Sequence, residues 1–324
     1  MDATDYAIYR YLSPDGLVRF WGARRVVDPL VSAREIADRV GLSEAGVRVR
    51  LKALEQRGYL KGRETGVNPS LFGVSLLVLE IPAREPNEAE RMLHELSLVD
   101  GVTFARDILD EQDRAIRVFY VSDTPAGTAR RTALLRKLAP SPHVRGPYPY
   151  WLPECAHELT RLDWKLLAAF RTQPDATLSE LATAVGVSLK TGATRFHRLL
   201  ESKAGWSTIS SSSEEVPLAW FSLSLKEGVD PTGVAQAVAK AHPGWMPVAP
   251  DGSGAPPSES SREVAGLLPA EAPAALEQAL RRTLSIDGVA RVRRTFALGS
   301  ATFPQWMDDR ISAQMKTFGG RAPG

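Results

Sequence analysis

The phrase Val40-Gly41-Leu42-Ser43 returns as Val185-Gly186-Val187-Ser188, 145 positions further along the chain. At the same offset Ser32 meets Thr177, Glu35 meets Glu180, Ile36 meets Leu181, Ala37 meets Ala182, Arg50 meets Arg195 and Leu54 meets Leu199. Further on, Leu98-Val99-Asp100-Gly101-Val102 is echoed by Ser285-Ile286-Asp287-Gly288-Val289. The offset there has grown to 187, so the second copy carries insertions. Repetition constrains a fold more tightly than composition, because each copy must bury a core built on the same plan. The chain reads as a tandem duplication.

Each copy begins with helices, in which apolar residues recur at the ~3.6-residue period of a helix. These cover residues 6–12, 33–40 and 44–57 in the first copy and 162–170, 178–185 and 189–202 in the second. A strand-rich half follows. In the first copy it reads as strand 71–81, helix 85–98, strand 102–109, strand 115–121, helix 124–138 and strand 144–151. The second copy gives strand 218–225, helix 231–241, strand 245–249, strand 262–268, helix 273–284 and strand 289–298. The order βαββαβ is the ferredoxin-like pattern. Residues 207–215 and 250–261 are polar or Gly/Pro/Ser-rich breaks, the latter a flexible loop between strands, and an amphipathic helix over 304–315 precedes a Gly/Pro tail. The expected class is therefore α+β. A winged helix-turn-helix domain (1–68, with an insert at 13–31) precedes a ferredoxin-like domain (69–153). A second pair follows at 157–213 and 216–303, and a C-terminal helix and tail occupy 304–324.

With 324 residues, 44% of them hydrophobic and 24% charged, the chain is long enough for several buried cores and is neither collagenous nor fully disordered. Cys155 is the only cysteine, which excludes an internal disulfide framework and reads as a small hydrophobe. No apolar run approaches the ~18 residues of a membrane span, and the first residues lack the basic and apolar regions of a secretory signal. The expectation is a cytoplasmic, nucleoid-associated protein with no membrane partner. A net charge of +2, from 40 basic and 38 acidic side chains, argues against a blanket nucleic-acid coat but leaves room for a local basic surface.

Residues 32–58 supply that surface. Ser32 and Glu35 have capping-box spacing, Gly41 suits the positive φ that ends a first helix, and Ser43 can cap the next. Val47, Leu51 and Leu54 lie at i, i+4 and i+7, so the second helix docks one face on a core. Helix, glycine turn and helix form the frame that sets a recognition helix in the major groove. Opposite the apolar seam lie Ala45, Val49, Lys52 and Gln56, with Arg48 at the shoulder. Arg48 and Lys52 suit guanine edges, and Ala45 and Val49 suit thymine methyl groups. Arg50, nearer the seam, reads as a phosphate contact or an ion-pair partner, and Lys61 and Arg63 as backbone contacts from a wing. From residue 32 to 67 there are eight basic and five acidic side chains, a local excess of +3.

The second copy offers Lys190, Thr194 and His197 on its outward face, with Arg195 in the place of Arg50. Gly192 stands where the first copy has Val47, and glycine inside a helix costs roughly 1 kcal/mol relative to alanine. The second module is thus either a second DNA reader or a degenerate structural copy.

Asp5-Tyr6-Ala7-Ile8, the run Ile36-Ala37-Asp38-Arg39-Val40-Gly41-Leu42-Ser43, Arg50, Leu54-Glu55 and Gly58-Tyr59-Leu60 resemble the Lrp/AsnC ("feast/famine") regulators. Val67-Asn68-Pro69-Ser70-Leu71-Phe72-Gly73 is similar to that family's joint between DNA-binding and regulatory domains. The resemblance runs over about residues 1–150 and, more weakly, 157–300. It implies a winged helix-turn-helix joined to a ferredoxin-like domain that oligomerises and often senses an amino acid. A small-molecule effector stays open, because the family's glycine-containing loop is replaced by Asp110-Glu111-Gln112-Asp113 in one copy and by the long Gly/Pro/Ser loop in the other. The insert at 13–31 also departs from the family. It holds Phe20-Trp21 with Arg19, Arg24 and Arg25, read as an aromatic clamp or an extension of the DNA surface.

His94, His143, His157, His197 and His242 show no metal-ligand spacing, and no phosphate-cradling loop or catalytic signature is present. No catalytic, cofactor or metal site is expected. The expected partners are double-stranded DNA and a second copy, or the two copies within one chain acting as a pseudo-dimer that reads half-sites ~34 Å apart. Two alternatives remain: a non-specific DNA-architectural or interaction scaffold, and an enzyme similar to tetrapyrrole decarboxylases.

Overall fold

The structure, a computed structural model, describes residues 4–5, 7–8, 32–57, 60, 63–83, 85–110, 113–139, 143–150, 155, 158–209, 218–242, 246–248, 263–269 and 273–317. The insert at 13–31, Lys61 and the loop 250–261 lie outside the described residues. In chain order the first half contains α1 (Ala33–Val40), α2 (Glu44–Gln56), β1 (Arg63–Val67), β2 (Ser75–Pro82), α3 (Pro86–Leu96), β3 (Val102–Asp110), β4 (Arg114–Ser122), α4 (Pro125–Leu138) and β5 (Arg145–Tyr150). The second half contains α5 (Arg161–Thr172), α6 (Leu178–Val185), α7 (Leu189–Glu201), β6 (Gly205–Ile209) and β7 (Leu218–Leu225). It continues with α8 (Pro231–Ala241), β8 (Met246–Val248), β9 (Glu263–Pro269), α9 (Pro273–Leu284), β10 (Val289–Thr302) and α10 (Gln305–Thr317). These elements gather into two compact units. One comprises residues 1–72, 153–212 and 307–324, the other residues 73–152 and 213–306.

The first unit holds both helical modules. Ser32 Oγ accepts from the Glu35 amide at 3.2 Å, Gly41 ends α1 at φ 71°, and Ser43 Oγ accepts from the Gly46 amide at 3.1 Å. Those three devices set the turn, and Ile8, Ile36, Ala37, Val47, Leu54 and Leu60 close the core beneath it. The second module repeats them with Thr177, Gly186 (φ 77°) and Ser188, over a core of Phe170, Leu181, Phe196 and Leu200. Gly192 turns out to be a packing residue. A Cβ there would lie 2.7 Å from Ala182 Cβ and 3.3 Å from Ala182 Cα, so α6 and α7 approach more closely than an alanine permits. Overpacking of this kind costs ~1–3 kcal/mol, against roughly 1 kcal/mol of helix propensity gained. Gly192→Ala should therefore lower the unfolding midpoint of the chain. A midpoint that stays put or rises would restore the reading of Gly192 as a defect.

A ladder joins the modules. β1 and β6 pair antiparallel over five residues, Arg63 opposite Ile209 through to Val67 opposite Gly205. The polar break expected over 207–215 is thus a strand in its first residues, because β1 supplies the hydrogen-bond partners that a local reading of Ser207-Thr208 lacks. Asn68, wholly buried, fastens the end of the ladder. Its amide donates to Ala204 O at 2.9 Å, its Nδ2 to Lys203 O at 2.9 Å, and its Oδ1 accepts from the Ser70 amide at 3.0 Å. That last bond turns the chain into a short 3-10 helix over Pro69–Phe72, so the strand expected from residue 71 begins at Ser75 instead. The C-terminal helix also packs here, with Met307 and Ile311 buried and Asp308 paired with Arg171.

The second unit is built on one eight-stranded sheet of order β5-β2-β4-β3-β10-β7-β9-β8. Each half contributes a βαββαβ set in the ferredoxin-like order, with its helices packed on one face. In the first half Leu79, Ile81, Ala105, Ile116, Val118 and Tyr120 pack on Ala89, Met92 and Leu96 of α3 and on Leu135 of α4. The halves meet edge to edge, where β3 of the first pairs with β10 of the second. β10 runs to Thr302, four residues past its expected end, because its first part pairs with β7 and residues 295–302 pair with β3.

Candidate nucleic-acid interface

The recognition helix α2 buries Val47 and Leu54 and turns Ala45, Arg48, Val49, Lys52 and Gln56 outward. Val49 is 70% exposed, an isolated β-branched side chain among polar ones on that face. Burying an apolar group on a thymine methyl would recover the cost of that exposure. Arg48 Nη2 lies 2.6 Å from Glu44 Oε1 one turn back, an exposed pair that holds the guanidinium along the helix. Ser43 acts as the helix cap and Arg63 opens β1.

On α7 the outward face carries Leu189, Lys190, Thr194 and His197, with Leu189 53% exposed. Thr194 Oγ1 donates to Lys190 O at 2.9 Å, which leaves its lone pairs turned outward as acceptors. The two helices present different chemistry at matching places: Ala45, Val49 and Lys52 on one, and Lys190, Thr194 and His197 on the other.

Arg50 and Arg195 serve inside the modules. Arg50 Nη1 lies 2.6 Å from Asp5 Oδ1, and Arg195 Nη1 lies 3.4 Å from Asp163 Oδ2. The structure thus takes the ion-pair reading of Arg50 and places Arg195, a DNA-contact candidate by sequence, in the equivalent pair. Asp163 is 1% exposed and also accepts from the Thr160 amide and hydroxyl, so the carboxylate both caps α5 and holds α7. Sequence reasoning did not pair either arginine with its acid, although a signal exists. Asp5-Tyr6-Ala7-Ile8 and Asp163-Trp164-Lys165-Leu166 share an acid–aromatic–x–aliphatic pattern, at an offset of 158 that the insert conceals from a fixed-offset search.

Among the described residues no group of His, Cys, Asp or Glu could hold a metal ion, and no helix is long and apolar enough to cross a membrane. His242 is buried, with Nε2 2.9 Å from Thr283 Oγ1, and burial lowers its pKa, with Arg282 adding to the effect. Since the Thr283 hydroxyl donates to Ala279 O, the imidazole is the donor, a neutral side chain satisfied within the core.

Residues 27–61 match the winged helix-turn-helix DNA-binding family. The HTH-type transcriptional regulator LrpA of Pyrococcus horikoshii is 44% identical over 45 residues, 14% of this chain and 32% of LrpA. The HTH-type transcriptional regulator Ptr1 of Methanocaldococcus jannaschii is 29% identical over 82 residues, 25% of this chain and 55% of Ptr1. The chain thus spans about a third of the length of the LrpA relatives it matches. Among solved structures, the siroheme decarboxylase NirDL aligns with 96% of this chain and 99% of its own at 11% identity and a TM-score of 0.49. The AsnC structure of E. coli aligns with 44% of this chain and 94% of its own, at 16% identity and a TM-score of 0.33. The first module is a winged helix-turn-helix of DNA-binding type, and over that module the chain is similar to the Lrp/AsnC transcriptional regulators.

Proposed function

We propose that the protein is a sequence-specific transcriptional regulator in which one chain reads an asymmetric operator with two recognition helices. The observation that carries this reading is the β1–β6 ladder, which places two helix-turn-helix modules with different outward faces in one compact unit. Regulators with identical modules match a palindrome by dimerising, so half-site symmetry mirrors protein symmetry. Here the two copies, a duplication on this reading, form an internal pseudo-dimer that reads two unlike half-sites. α2 reads one half-site through Arg48, Val49 and Lys52, and α7 reads the other through Lys190, Thr194 and His197. Lys61 and Arg63 are assigned to the DNA backbone. The chain works by binding rather than by catalysis, in the cytoplasm with the nucleoid, and its sheet unit is the place for self-association and for an effector.

Genome-wide mapping of bound sites followed by footprinting tests this. The expected operator has two dissimilar halves about one helical turn apart and is filled by one chain. A palindrome occupied only by two chains would overturn the pseudo-dimer. Binding that competitor DNA abolishes at physiological salt, without the specificity ratio of roughly 10³ or more expected of a regulator, would favour an architectural scaffold.

A further inference from the structure

The N-terminal turn of a recognition helix meets base edges first, and there α2 and α7 differ in kind. Glu44 and Leu189 are equivalent residues, each the first of its helix after a serine cap. One turn on, Arg48 of α2 corresponds to Ala193 of α7. The first helix therefore opens with an acid and a base at these two places, and the second with two apolar side chains. Glu44, Arg48 and Leu189 are exposed, and none of the three contributes to the core beneath its module.

Arg48 donates twice to Glu44, through Nε at 3.1 Å and through Nη2 at 2.6 Å. Both bonds end on Oε1, and among the described residues Glu44 Oε2 accepts no hydrogen bond. A lone carboxylate is repelled by the phosphate backbone, whereas this pair approaches DNA with no net charge. What it adds to the groove is an acceptor. Cytosine N4 offers a donor there, while the adenine amino group stands beside the N7 acceptor, which opposes a carboxylate. Leu189 and Ala193 offer neither donor nor acceptor. The major-groove feature that suits them is the thymine methyl group, onto which the exposed Leu189 side chain moves favourably from water.

We infer that Glu44 and Leu189 are specificity-determining residues that make the two half-sites unlike at one equivalent base pair, cytosine in the first and thymine in the second. Glu44 Oε2 accepts the cytosine N4 hydrogen while Oε1 stays with Arg48, and Leu189 covers the thymine methyl group. This inference rests on the reading of the protein as a regulator with two recognition helices, and it adds the base that each helix selects with its first residue.

Selection of bound sequences from a random duplex library tests it, with the full-length protein and its Glu44→Leu and Leu189→Ala variants run in parallel. The parent should enrich an operator with cytosine at one position and thymine at the corresponding position of the other half. Glu44→Leu should lose the cytosine preference by about tenfold at that position alone and favour thymine there. Leu189→Ala should lose the thymine preference in the other half. Uracil in place of that thymine removes only the methyl group and needs no variant. It should weaken binding by the parent about fourfold, the worth of one buried methyl group, and leave binding by Leu189→Ala unchanged. A library from which no sequence is enriched would overturn this inference together with the regulator reading. An enriched operator at which Glu44→Leu keeps the parent's preference at every position, or whose binding ignores the loss of the methyl group, would overturn this inference alone.

Discussion

Lys52→Ala combined with Lys190→Ala should weaken operator binding by about 2–6 kcal/mol, the sum of about 1–3 kcal/mol for each base-reading side chain removed. The two lysines lie on different modules and share no partner, so their effects should add. Lys52 is the stronger candidate on α2, because Arg48 is already paired with Glu44 and must leave that pair before it reaches a base. Opening an exposed i, i+4 pair costs only ~0.3–0.5 kcal/mol, so Arg48 remains available as a second reader. The single variants carry the more telling result. Lys52→Ala should relax protection and base preference over one half of the operator, and Lys190→Ala over the other half. Electrophoretic mobility and footprinting read both effects. Two variants that thin the same half would sink the internal pseudo-dimer. A uniform loss across all sequences, with the salt slope reduced by about one, would make these lysines phosphate contacts instead.

What was legible in the sequence is what local chemistry determines. Both recognition turns follow from Ser or Thr caps and a glycine at positive φ, and the expected bounds of β7, α8 and α9 match the observed ones. Strands and helices of both ferredoxin-like halves follow from periodicity, since each buries one face against its own half. What escaped depends on partners distant in sequence. β6 exists because β1 lies beside it, and β10 is long because it spans two ladders. Gly192 reads as a flaw until the neighbouring Ala182 is known. Arg195 reads as a DNA contact until Asp163, 32 residues away, claims it. The joining of the halves through β3 and β10 has no local signal at all, since edge strands carry the same alternating pattern whether or not they are paired. Of the candidate interface, the outward residues of α2 and α7 were legible, while the ladder that brings their modules into one unit was not.

Arg131→Met should cost the protein about 3 kcal/mol of stability, the magnitude for breaking a buried ion pair from one side. Arg131 is 9% exposed and crosses from α4 to the sheet. Its Nη1 and Nη2 lie 2.8 and 3.1 Å from the two Asp123 oxygens, Nε donates to Asp100 O at 3.0 Å, and Nη1 donates to Val121 O at 3.2 Å. Gly101 makes room for it. At φ 84°, a Cβ on that residue would lie 2.5 Å from Arg131 Nε, so the repeated Asp-Gly phrase here serves an arginine. At the matching turn, Gly288 instead yields to Val229. The methionine removes the charge and every one of these bonds and leaves the Asp123 carboxylate half-dry without its partner. Acid exposes the same network. The hydrogen bond from Arg131 holds the Asp123 carboxyl well below the usual carboxylate range, with the Thr124 amide assisting. A carboxylate depressed in the folded state contributes stability that is fully present above its unfolded pKa of about 3.9 and is lost as pH falls toward its folded value. Urea unfolding of the parent between pH 7 and pH 3 should therefore show stability declining from about pH 5 downward. In Arg131→Met that decline should be shallower, since Asp123 no longer differs as much between the folded and unfolded states. A variant with the parent's stability at pH 7, or with an unchanged acid slope, would show that Arg131 contributes packing and not charge.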